Sequence, residues 1–76
     1  MKFVTFYTTD KGQEVEAGRV WNEGGELKGT VNKIFLDDLK SWLEKSGEEI
    51  EIYLENLHKR FDGTFLYAGP YKEETA

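Results

Sequence analysis

The chain has 76 residues, no cysteine, a single histidine and a net charge of −5. This length fits one domain, and a chain so short buries only about 60% of the surface its unfolded form exposes. The composition excludes disulfide and thiolate chemistry, and one histidine without cysteine argues against a zinc site of the usual nitrogen and sulfur kind.

Residues 2–9 read as a strand, because every side chain after Lys2 is aromatic or β-branched. Phe3 and Tyr7 fall on one face and Val4 and Phe6 on the other, the pattern of a strand that is central or helix-covered. Asp10-Lys11-Gly12 predicts a tight turn, with Gly12 at positive φ. Residues 14–21 predict a second strand, with Val15 and Ala17 on one face and Glu14 and Glu16 on the other. The alternation slips at Gly18, after which Val20 and Trp21 are both apolar. A glycine at a phase slip predicts a β-bulge. Asn22-Glu23-Gly24-Gly25 forms the next turn, and residues 26–30 a short strand carrying Leu27. These three strands make an antiparallel meander.

Near residue 31 the apolar period changes from two to about 3.6. A helix is expected from about Asn32 to Ser46, capped by Asn32 or Thr30. Phe35, Leu39, Trp42 and Leu43 form its apolar stripe, with Leu36 beside it, and Gly47 ends it in the left-handed region. Residues 48–61 fit two patterns. As a strand, Ile50, Ile52 and Leu54 alternate with Glu49, Glu51 and Glu55. As a helix, Ile50, Tyr53, Leu54, Leu57 and Phe61 lie on one stripe. The helix is favoured by Ser46-x-x-Glu49 at capping-box spacing. It is also favoured by acidic residues at its start and His58, Lys59 and Arg60 at its end. Residues 64–68 predict a strand beside the first one, and residues 71–76 a charged tail that frays. The fold class expected is α+β: a three-stranded antiparallel meander, one or two amphipathic helices on one face, and a C-terminal strand rejoining the sheet.

No constellation with recognisable chemistry emerges. His58 sits beside two cations at a helix end and reads as a surface residue. Asp37-Asp38 and Glu48-Glu49 are adjacent in sequence, and neighbours on a helix do not converge on a pocket. The carboxylates match no calcium loop, and the glycines around Gly24-Gly25 match no phosphate-binding pattern. No metal, cofactor or enzymatic role is expected. The first residues predict a strand rather than a secretory leader, and no run reaches the ~18 apolar residues that span a membrane. A cytoplasmic protein without membrane contact is expected.

The whole net charge falls on residues 37–76, which carry ten acidic and five basic groups. Acidic helices repel phosphate backbones, so a nucleic acid would have to meet the strand half. There Arg19, Trp21 and Lys28 flank one hairpin and are expected to cluster across the strand pair. Residues 60–67, with Arg60 and Tyr67, form the densest stretch of distinctive side chains. Arg19, Trp21, Lys28, Tyr67 and Arg60 are therefore the candidate binding residues. The reading this supports is a small non-enzymatic accessory or regulatory module that binds protein by surface contact. A second copy of the chain is the simplest cover for a first strand apolar on both faces, giving a homodimer. The alternative is a nucleic-acid-associated protein using Arg19, Trp21 and Lys28, and the third a small metabolite binder or enzyme.

Overall fold

The computed structural model describes residues 1–63 and 65–74. The elements run β1 (Lys2–Asp10), β2 (Gln13–Glu23), β3 (Glu26–Gly29), α1 (Lys33–Ser46), α2 (Ile50–Arg60), β4 (Leu66–Ala68) and β5 (Lys72–Glu73). One antiparallel sheet has the order β3-β2-β1-β4, and β5 also pairs with β1. The α+β class, the meander and the strand returning beside β1 all match the sequence reading.

Both hairpin turns place two successive residues at positive φ: Lys11 and Gly12 at 52° and 77°, Gly24 and Gly25 at 61° and 88°. That geometry matches the right-handed twist of the flanking strands. The bulge lies where the phase slips. Phe6 pairs with Gly18 and Tyr7 with Glu16, so Ala17 has no partner on β1. Gly18 takes φ 147°, and a Cβ there would lie 2.8 Å from the Val31 backbone. Glycine thus lets the chain leaving β3 cross closely over β2 on its way to α1.

Both helices pack on one face of the sheet, around Val4, Phe6 and Val20 from the strands and Leu39, Leu54 and Leu57 from the helices. The rings of Phe6, Phe35 and Phe61 meet edge to face, at centroid distances of 5.1 to 5.8 Å. Such contacts add to the area they bury. The Tyr53 hydroxyl donates to the Leu39 carbonyl at 3.0 Å and ties α2 to α1 inside the core. Asn32 caps α1, its Oδ1 accepting from the backbone N–H of Ile34 and Phe35. Gly47 closes the helix at φ 70°.

Two local expectations are corrected. Residues 50–60 are helical, but Ser46 does not cap that helix. It still belongs to α1, where its hydroxyl donates to the Leu43 carbonyl and accepts from the Glu48 N–H. Glu49 takes the cap position without a side-chain bond. Residues 71–76, expected to fray, are ordered through Glu74. Lys72 and Glu73 pair with Phe3 and Lys2, Glu73 meets the Met1 ammonium at 2.9 Å, and the Tyr71 hydroxyl donates to Glu51 at 2.6 Å. Thr75 and Ala76 lie outside the described residues, as does Thr64 in the segment expected to begin β4.

Candidate functional site

Directly paired residues on neighbouring strands share a face. Thr5 pairs with Arg19, and Phe3 with Trp21. Trp21 in turn pairs with Lys28, and Tyr7 pairs with both Glu16 and Tyr67. All of these side chains therefore occupy the face opposite the helices. The expected cluster of Arg19, Trp21 and Lys28 is assembled there, and β4 adds Tyr67.

Arg19 is the centre of this face. Its guanidinium lies 4.6 Å from the Phe3 ring centroid, beside Glu16 at 3.4 Å and Glu74 at 3.8 Å. Its Nε is buried and makes no hydrogen bond. Phe3 is only 7% exposed and Thr5 8%. The ring that motivated an outside cover is thus shielded from within, by Arg19 above it and β5 alongside. A cleft of about 400 Å³ runs over Phe3, Thr5 and Tyr7 and is bordered by Glu16, Arg19 and the β5 segment.

The rest of the face is aromatic with charged neighbours. Tyr7 and Tyr67 stack at 5.0 Å with 22° between their planes. The Glu14 side chain, with desolvation, pushes the Tyr67 phenol up to about 12. Trp21 donates from Nε1 to Glu23 at 3.3 Å. Lys28 pairs with Glu26 at 3.2 Å.

Arg60 is not on this face. It lies at the end of α2, where it meets Glu48 at 2.8 Å and sits 5.3 Å from the Tyr53 ring. Its contacts brace the helical layer. His58, near it, borders a separate cleft of about 320 Å³ with Glu55, Lys59 and Tyr71, and its Nδ1 lies 2.8 Å from the Glu55 carbonyl.

Sequence reasoning did not place Glu14 and Glu16 with Arg19 and Trp21, although the phase slip contains that information. One extra residue at the bulge moves the even positions before it onto the face of the odd positions after it. Lys72 and Glu74 had no such signal, since only tertiary pairing orders them. Among the described residues no group of three or more histidine, cysteine or carboxylate side chains could hold a metal ion. No helix among them is long and apolar enough to cross a membrane. Comparison with family models, with curated proteins and with solved structures finds no match to this chain.

Proposed function

We propose that this chain is a small non-enzymatic accessory module that binds another protein by surface contact through its open sheet face. The observation that carries the reading is one surface holding Trp21, Tyr7, Tyr67 and Arg19 together, with charged residues around them. Tryptophan, tyrosine and arginine are the side chains that dominate protein–protein binding energy, and a charged rim around rings is the usual anatomy of such a surface. Self-association through the same face falls within this reading, and sedimentation at high micromolar concentration reads it directly.

A nucleic-acid partner is the second reading, favoured by Arg19, Lys28 and Trp21 on one face, where rings can stack on bases. Glu14, Glu16 and Glu74 weigh against it. They lie among the same cations, and two of them already flank Arg19. Affinity capture with the wild-type chain and with a Trp21→Ala/Tyr67→Ala variant, followed by reassembly from purified components, tests the first reading. A partner retained equally by both chains refutes it. Salt-dependent retention on single-stranded DNA, lost in Arg19→Ala/Trp21→Ala, would establish the second reading instead.

A further inference from the structure

β2 is longer than the strand that covers it. β3 pairs only with Val20 through Glu23, and the last backbone bond along that flank runs from the Thr30 N–H to the Arg19 carbonyl. Residues 13–17 have β1 on one side and, among the described residues, no strand on the other.

The direction of the free backbone groups follows from the pairing. Thr5 and Thr9 turn their backbone groups toward the opposite flank of β1, where Gly69 N–H donates to Thr5 and Thr9 N–H to Phe65. Alternate residues of a strand bond alternate sides, so Thr8 bonds β2, and its partner Val15 bonds back. The N–H and C=O groups of Glu14 and Glu16 therefore point out of the sheet. Four backbone groups on one short edge form a template for an added strand.

The side chains of this edge select what can be added. Glu14 and Glu16 stand on the open face, while Val15, 42% exposed, stands on the other. A second copy is a poor occupant. Antiparallel pairing of this edge with itself sets Glu14 against Glu16, or either carboxylate against its own copy, and like charges directly opposite each other destabilise a ladder. The same two carboxylates that keep like edges apart attract a strand of opposite sign.

We propose that residues 13–17 accept an extended segment of a partner protein as an additional strand, one with basic residues at every second position opposite Glu14 and Glu16 and apolar residues beside Val15. The added strand bonds the edge of β2 at residues 13–17 and not the surface around Trp21, which pairs with Phe3 and Lys28, so it stands or falls separately from the reading above.

The test uses a fluorescent peptide of alternating lysine and valine. Its controls are a peptide with the same residues in block order and one with glutamate in place of lysine. Anisotropy titration against the full chain should show at least tenfold tighter binding of the alternating lysine peptide than of either control. Amide hydrogen exchange on the wild-type chain should show peptide-dependent protection at Glu14 and Glu16. Glu14→Lys/Glu16→Lys should reverse the preference toward the glutamate peptide, and Trp21→Ala should leave peptide binding unchanged. Equal binding of the block-order peptide would reduce the interaction to unspecific charge attraction and overturn the proposal. So would unprotected amides at Glu14 and Glu16, or a Trp21→Ala variant that no longer binds.

Discussion

Replacing Gly18 by alanine should remove a large part of the stability of this protein. Two effects combine at that position. The backbone sits at φ 147°, where a side chain costs about 1–3 kcal/mol. The new Cβ would also lie 2.8 Å from the Cα, N and Cγ1 of Val31, and two of those atoms are backbone that no rotamer change can move. Overpacking of this kind costs about 1–3 kcal/mol. Together they amount to about 2–6 kcal/mol, against the roughly 4–11 kcal/mol expected for a domain of this size. At about 4–8 °C per kcal/mol for a small domain, the melting temperature should fall by on the order of 20 °C. Gly12→Ala is the control, because Gly12 also has positive φ, 77°, but has open space around it. It should cost about 1–2 kcal/mol, the backbone effect alone. Urea unfolding of both variants, followed by circular dichroism, gives the difference that belongs to the Val31 contact. Val31→Ala added to Gly18→Ala should recover only the Cγ1 share. A Gly18→Ala chain no less stable than Gly12→Ala would refute the close crossing of β2 by the chain entering α1.

Tyr53→Phe should cost about 1 kcal/mol by denaturant unfolding, since the Leu39 carbonyl keeps its partner within α1 and only the bond from the hydroxyl is lost. Lys11→Asn should stabilise by about 0.5–1 kcal/mol, because Lys11 holds φ 52° in a turn that favours asparagine before glycine; thermal melts read it. Stability should fall with alkali. Burial raises the phenol of Tyr53 and, with the Glu51 bond, that of Tyr71, while Glu14 raises that of Tyr67 to about 12. The fold therefore holds these protons more tightly than the unfolded chain. Their contribution is complete below about pH 10 and is lost as pH rises through the folded values. At the acid end, the Tyr71 bond holds the Glu51 carboxyl below its ordinary 4.5. That contribution is present above about pH 4.5 and disappears as pH falls through the lowered value. Tyr71→Phe should flatten both limbs in unfolding experiments across pH, and unchanged limbs would count against the assigned bond.

The strands and the first helix were legible because their signals are local. The run of residues 2–9, the phase slip at Gly18 and the cap at Asn32 each appear in a few neighbouring letters. Residues 50–60 were less legible, since Ile50 and Leu54 satisfy a period of two as well as one of 3.6. Only burial of Tyr53, Leu54 and Leu57 against the sheet decides between them. Ser46 misled because its hydroxyl was spent on the helix that ends with it. Strand β5 was not legible. Two charged residues have no strand propensity of their own, and the contacts holding them and the neighbouring Tyr71 come from Met1, Lys2 and Glu51, far away in the chain. The same distinction governs the candidate surface. Arg19, Trp21 and Lys28 share a hairpin and could be grouped by counting. Closeness in sequence groups Arg60 with Tyr67, but Arg60 ends α2 and Tyr67 lies in β4, so the two belong to different layers.

Strand β1 lies in the middle of the sheet, and its second flank is completed only by β4 and β5, which follow both helices in the sequence. During synthesis, at about 5–20 residues per second, the hairpins of β1, β2 and β3 can close from local contacts. The other side of β1 stays bare until residues 66–73 leave the ribosome. For the few seconds that this takes, the helices α1 and α2 are already made, but the sheet they pack on lacks the strands that close β1. A nascent chain stalled within α2 would present this unsealed seam to any chaperone or sticky neighbour, whereas the folded sheet has it closed by β4 and β5.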